Sequence, residues 1–149
     1  MKCNYSRPIT KQDMNRAKKF LAGFSIKTRF NQSSGWASRH QVVAIFTGTK
    51  EDPASVSEFW SCVFHELTHI LCGREGKYEV YHLKYHLESK KIRNILRRTA
   101  LRAELYVDKR AEKTMKMMFP DMKYHQSYRT QSEIDWLMKH LFDDQGTSK

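Results

Sequence analysis

Residues 59–71 read FWSCVFHELTHIL and contain the pattern His-Glu-x-x-His, formed by His65, Glu66 and His69. On a helix the two histidines lie one turn apart on the same face, so both imidazoles can reach one metal ion, with Glu66 projecting beside them. The opposite face is apolar and can anchor the helix in a core: Trp60, Val63, Phe64, Leu67, Ile70 and Leu71. Burying an unpaired carboxylate among ordinary core histidines would be costly. The segment therefore predicts a metal-binding helix, and a salt-bridged surface face is the alternative.

A catalytic zinc site needs at least one further protein ligand and keeps one position open. The sequence offers three candidates: His82, His86 and Glu104. Glu104 falls at the edge of the apolar stripe of a long downstream helix, from where its carboxylate can point into a site made by the neighbouring helix. The alternative is an exposed Glu104 paired with Arg97 or Lys109. Asp108, one turn after Glu104, could accept a hydrogen bond from a ligand histidine and fix its tautomer.

Helical spacing and strand alternation organise the rest of the chain. The predicted elements are, in order, a helix at 10–22, strands at 24–32 and 36–49, helices at 57–72 and 88–118, and a last helix from Ser132. This order predicts an α+β fold, mostly helical, with the helices packed on a small antiparallel hairpin. The length of 149 residues predicts a single domain, 1–149, with a disordered tail at 143–149.

The histidine pattern, followed by Glu104-x-x-Val107-Asp108 on a downstream helix, resembles the gluzincin metallopeptidases. With the preceding helix and hairpin, residues 40–115 look most like a minimal domain of the ImmA/IrrE type. The resemblance implies a minimal zincin fold in which Glu104 and the two histidines of the pattern bind one Zn²⁺ ion. It also implies that Glu66 is the general base of a zinc-dependent peptidase. One departure is Val107, because the family commonly has alanine there.

A second resemblance is to the SprT-like group, in which a third histidine follows the pattern. His82 or His86 would then replace Glu104 as the third ligand. Either family implies a protein or peptide substrate, in many cases one associated with DNA. By the same resemblance, stand-alone zincins of this size are frequent in phages and mobile elements. An extended substrate could pair with an edge strand at 39–49. Six side chains are candidates to stabilise the oxyanion, although each is better explained as a surface or partly buried ring: Tyr81, His82, Tyr85, Tyr124, His125 and Tyr128.

The composition is 40% hydrophobic and 29% charged, as in soluble globular proteins, and the net charge is +11. Without a signal-peptide pattern or a long apolar run, we expect a cytoplasmic protein that does not enter membranes. Three cysteines without a Cys-x-x-Cys pair indicate reduced thiols: Cys3, Cys62 and Cys72. Because Cys62 and Cys72 share the histidines' helix, either one would be a poor metal ligand.

The positive charge is concentrated on the predicted long helix, where six cations share one stripe opposite the apolar face: Lys91, Arg98, Arg102, Lys109, Lys113 and Lys116. Such a stripe is either a solvated face or a surface that contacts nucleic-acid phosphates. It supports a second hypothesis, a non-catalytic binding or inhibitor module that holds nucleic acid or an acidic partner. An intact Glu66 favours the enzyme, because a purely structural zinc site has no use for a base.

Overall fold

The computed structural model describes residues 4–38, 40–72 and 90–126, with the side chains of the last range from Glu104 onward. The elements are helix α1 (Lys11–Ala22), strands β1 (Lys27–Asn31), β2 (Trp36–Ser38) and β3 (Val42–Phe46), helix α2 (Val56–Leu71) and helix α3 (Lys90–Met118). The predicted α+β class and its mostly helical character are confirmed. The predicted last helix and tail lie outside the described residues.

Two helix starts follow from local hydrogen bonding. Thr10 caps α1, because its side chain accepts from the Asp13 backbone N–H and the Asp13 side chain accepts from the Thr10 backbone N–H. Ser55 caps α2 in the same way with Glu58. Gly23 ends α1.

The sheet is mixed, so the prediction of an antiparallel hairpin was wrong in its topology. Strand order is β1-β3-β2, with β1 parallel and β2 antiparallel to β3. The predicted strand at 36–49 is two strands, because the chain reverses at Gln41. The backbone of Gln41 has a φ of 63°, and its N–H donates to the Ser38 carbonyl at 3.1 Å. β3 therefore inserts between β1 and β2 as the central strand.

Helix α2 is the centre of the core. Phe59, Val63 and Leu67 are buried on it and belong to one cluster with Leu21 of α1 and Ile45 of β3. Helix α3 also packs against α2. Within the part of the chain that the structure describes, no helix combines the length and apolar character needed to cross a membrane.

The start of α1 is tied to the preceding segment by a forked ion pair. The Arg7 guanidinium donates to both carboxylate oxygens of buried Asp13, at 2.9 and 3.1 Å. Burial raises the pKa of Asp13, but the hydrogen bonds from Arg7 and Thr10 outweigh it and hold the pKa below its usual value. The carboxylate form of Asp13 is therefore the one that the fold stabilises.

We expect Asp13→Asn to lower the free energy of unfolding at pH 7 by about 1–2 kcal/mol, since it weakens both the cap and the ion pair. The pKa of Asp13 is lower in the folded than in the unfolded chain. The contribution of ionised Asp13 to the free energy of unfolding is therefore complete above about pH 5, and it declines as the pH falls below the usual aspartate pKa of about 3.9. Urea unfolding at pH 7 and pH 3 measures this. Asp121→Asn, at an exposed position, is the control. An equal difference between parent and Asp13→Asn at both pH values would contradict the prediction.

Candidate metal centre

The two histidines of α2 converge on one point. The Nε2 atoms of His65 and His69 lie 3.1 Å apart, because one helical turn separates them on the same face. Both residues are 6% exposed, and Glu66 between them is 5% exposed. The alternative of a solvent-exposed, salt-bridged face is therefore wrong. Ligand atoms of these three residues all lie within 4.8 Å of one another, so this group could hold a metal ion.

Helix α3 brings Glu104 to the same point. The side chains buried on α3 recur every three or four residues and face α2: Glu104, Val107, Asp108, Ala111 and Met115. The Glu104 carboxylate lies 2.9 Å from His65 Nε2 and 2.8 Å from His69 Nε2. The alternative of an exposed Glu104 is wrong, since the residue is 2% exposed. Its role as the third ligand remains a prediction.

The spacing of His65, His69 and Glu104 can be compared with that of ligands in a tetrahedral zinc site. Ligand atoms at 2.0–2.1 Å from one tetrahedral ion lie about 3.3 Å apart. The distances among His65 Nε2, His69 Nε2 and the Glu104 oxygens are 2.8–3.1 Å, shorter by a few tenths of an ångström. Two imidazoles and one carboxylate are also a donor set of catalytic zinc sites.

Hydrogen bonds from both histidines control the charge of Glu104. Burial raises the pKa of the Glu104 carboxyl, but the bonds from His65 and His69 outweigh it and lower the pKa to about 2. Glu104 is therefore ionised at neutral pH, as a metal ligand must be.

Glu66 has a different environment from Glu104. Its Oε1 lies 3.7 Å from His65 Nε2, and its buried Oε2 has no hydrogen-bond partner among the described residues. Burial raises the pKa of Glu66; the histidines oppose this, and the nearby carboxylates of Glu104 and Asp108 reinforce it. A buried carboxylate with one unpaired oxygen is a stronger proton acceptor than an exposed one.

Asp108 lies where it can orient His65. Its Oδ1 is 2.9 Å from His65 Nδ1, so this ring nitrogen can donate and leave Nε2 to face Glu104 and His69. Burial lowers the pKa of His65, but its hydrogen bonds to Asp108 and Glu104 raise it well above the usual value. These carboxylates favour the protonated ring in the metal-free protein; a neutral His65 that donates through Nδ1 to Asp108 would present the Nε2 lone pair to a metal.

Tyr124 extends this contact to the segment after α3. Its hydroxyl donates to Asp108 Oδ1 at 2.7 Å, and its side chain is buried. The following residue, His125, holds the segment on α2 through its Nε2 atom, 2.8 Å from Ser57 Oγ, and its backbone N–H, which donates to Ser61 at 2.9 Å. Tyr124 was a candidate oxyanion stabiliser, but its hydroxyl contacts Asp108 instead. No spacing in the sequence indicates that partner.

We expect Tyr124→Phe to weaken zinc binding by about tenfold, within the range for loss of an outer hydrogen-bond partner of a metal ligand. The phenyl ring keeps the packing and leaves Asp108 with one hydrogen bond fewer. Competition with a chromophoric chelator measures the zinc affinity. Tyr106→Phe, at an exposed site on the same helix as Asp108, is the matched control. Equal zinc affinity in Tyr124→Phe and the parent would show that this bond does not act on the site.

The segment before β2 lies directly beside the proposed base. A Cβ atom added to Gly35 would lie 2.4 Å from Cys62 Sγ and 3.6 Å from the Glu66 side chain. Only glycine allows this close approach without displacing Cys62. Because β3 is central, the prediction of an edge strand at 39–49 was wrong, and β2 is the edge strand next to the site.

The cysteines on α2 are free thiols, as predicted for Cys62 and Cys72. The backbone N–H of Phe46 donates to Cys62 Sγ at 3.4 Å. Burial raises the pKa of the Cys62 thiol, and the charge of Glu66 raises it further, so the metal-free protein favours the protonated thiol.

Some of the remaining predicted residues have described side chains, and others do not. Several lie outside the described residues: Cys3, Tyr81, His82, Tyr85, His86 and Tyr128. The side chains of Lys91, Arg98 and Arg102 also lie outside them. Of the other stripe cations, Lys109 and Lys113 are exposed, whereas the Lys116 ammonium donates to the Met122 carbonyl.

Comparisons of the chain with family models, curated proteins and solved structures found no match.

Proposed function

We propose that this chain is a zinc-dependent metallopeptidase. His65, His69 and Glu104 would hold one ion, and Glu66 would be the general base. The observation that carries the proposal is the convergence of two imidazole nitrogens and one carboxylate within 3.1 Å, beside a second buried carboxylate with an unpaired oxygen. A purely structural zinc site has four protein ligands and needs no base. The combination of three ligands and a base is what hydrolysis requires.

The proposed chemistry divides between the ion and the chain. A zinc ion with an open coordination position makes water acidic near neutral pH and polarises a substrate carbonyl. Glu66 would accept the proton of the attacking water at Oε2 and pass it to the nitrogen of the leaving amine. Asp108 would keep the His65 ring turned towards the ion, with Tyr124 holding Asp108 in place.

Strand β2 is the candidate to hold an extended substrate. It is an edge strand paired on one side with β3, so backbone groups on its other side can pair with a peptide. A Cβ atom added to Gly35 would lie 3.6 Å from Glu66 Cγ, so the start of this strand is near the proposed base. A bound peptide would then pass within reach of Glu66.

A second candidate function is binding of nucleic acid, alone or to bring a DNA-associated protein substrate to the site. The observation that favours it is a group of exposed cations within two turns of α3: Lys109, Arg110 and Lys113. Fluorescence anisotropy with a labelled DNA duplex tests it. Replacing all three by glutamine should weaken binding and reduce its salt dependence, since each phosphate contact adds to the salt slope. Unchanged binding in this variant would reject the surface.

We expect cleavage of fluorescence-quenched peptide pools by the zinc-loaded protein. Removing the ion with 1,10-phenanthroline should abolish cleavage, because the chain would then lack its Lewis acid. Adding zinc back should restore the rate, which separates metal removal from unfolding. Cleavage that persists after verified zinc removal would contradict the proposal, as would no cleavage of any pool by protein carrying one zinc ion.

A further inference from the structure

A second concave site lies on the opposite side of α2 from the histidines. Trp60 lines it and is about half a turn around the helix from His69. The pocket has a volume of about 830 Å³ and is bounded by the segment before α1, by α1, by α2 and by the end of α3. This volume is within the range of small-molecule sites, roughly 300–1,000 Å³. The metal centre does not use this pocket.

Aromatic rings form much of its wall, and we call it the aromatic pocket. Its rings belong to Tyr5, Phe20, Trp60 and Phe119. The Trp60 ring centroid lies 6.1 Å from that of Phe20 and 5.2 Å from that of Phe119. Tyr5 packs edge-on against Phe119 at 6.3 Å. A pocket walled by rings in mutual contact favours a ligand with an alkyl or aryl body.

The rim of the aromatic pocket is positively charged. Arg7 and Asp13 neutralise each other through their forked ion pair. Arg16 and Lys19 follow on the same face of α1, and both are exposed. Among the described residues neither has a carboxylate within ion-pair distance. The rim therefore offers two cations for one anionic group at the mouth of an apolar pocket.

We propose that the aromatic pocket binds a small amphipathic anion, a carboxylate with an alkyl or aryl body. The body would lie against Trp60, Phe20 and Phe119, and the carboxylate would meet Arg16 and Lys19. Charge complementarity selects this ligand class: a neutral apolar molecule would leave both rim cations unused, and a cation would be repelled by them. This inference does not depend on the metal centre or on peptidase activity.

Isothermal titration calorimetry with decanoate tests the proposal on the full chain. We expect one decanoate per chain, bound at least about tenfold more tightly than the nonyltrimethylammonium cation, whose alkyl chain has the same length. No detectable binding of decanoate, or equal binding of the two ions, would overturn the proposal.

Charge reversal at the rim assigns the site. Arg16→Glu should weaken decanoate binding by about tenfold, and Arg16→Lys should retain most of the affinity. The matched control is Arg29→Glu, the same change of charge at an exposed position of β1, away from the pocket lining. Equal affinity in Arg16→Glu and Arg29→Glu would show that decanoate binds elsewhere and would reject the aromatic pocket as its site.

Discussion

Glu66→Gln is expected to leave one zinc ion bound and to lower the rate of peptide hydrolysis by about a thousandfold. General acid–base catalysis by one positioned group contributes about 10²–10⁴. Glutamine has nearly the same shape as glutamate but cannot accept the proton of the attacking water. Because Glu66 Oε2 makes no hydrogen bond among the described residues, the substitution does not remove a hydrogen bond of that oxygen there. The zinc content and the cleavage rate of the same preparation measure both parts.

The matched control is Glu58→Gln on the same helix. Glu58 is exposed and takes part in the capping box of Ser55, where glutamine is also tolerated. This variant should hydrolyse peptide at the parent's rate. If Glu66→Gln keeps both its zinc and its activity, Glu66 is not the base.

Glu104→Ala has the second large expected effect, a loss of zinc affinity of more than about a hundredfold. A hundredfold loss of metal affinity is the upper end for removing a hydrogen-bond partner of a ligand. Removing the ligand itself should lower the affinity further. The change also leaves two buried imidazoles without the carboxylate that lies 2.8 and 2.9 Å from them. Competition with a chromophoric chelator measures the affinity.

Thermal unfolding of the metal-free proteins is the accompanying control, because it separates loss of a ligand from loss of the fold. Glu112→Ala, two turns further along α3 and half-buried, should bind zinc like the parent. Zinc bound at parental affinity by folded Glu104→Ala would move the third ligand to His82 or His86. The SprT-like resemblance would then be the better one.

Much of the helical structure could be predicted because its signals are local. The helix predicted at 10–22 from its spacing is α1, Lys11–Ala22. The position of Glu104 at the edge of an apolar stripe indicated that it faces a neighbouring helix. The buried faces of α2 and α3 do meet, and this brings Glu104 to His65 and His69. Helical periodicity was therefore sufficient to predict most residues of the candidate site.

The sheet and the outer contacts of the site depend on pairing between distant residues, which periodicity does not encode. No glycine, proline, asparagine or aspartate interrupts 36–47, so the sequence concealed the reversal at Gln41 and the insertion of β3 between β1 and β2. The bond from Tyr124 to Asp108 depends on how the chain folds back after α3. The aromatic pocket likewise combines side chains from four separate segments.

The zinc content of the purified parent protein, measured by elemental mass spectrometry after dialysis, tests the metal centre most directly. We predict one zinc ion per chain, because His65, His69 and Glu104 converge within 3.1 Å in a buried site. A parent protein that carries no zinc, and binds none when zinc is added back, would contradict the proposal. The buried histidines and carboxylates would then be a structural ion-pair network on two packed helices.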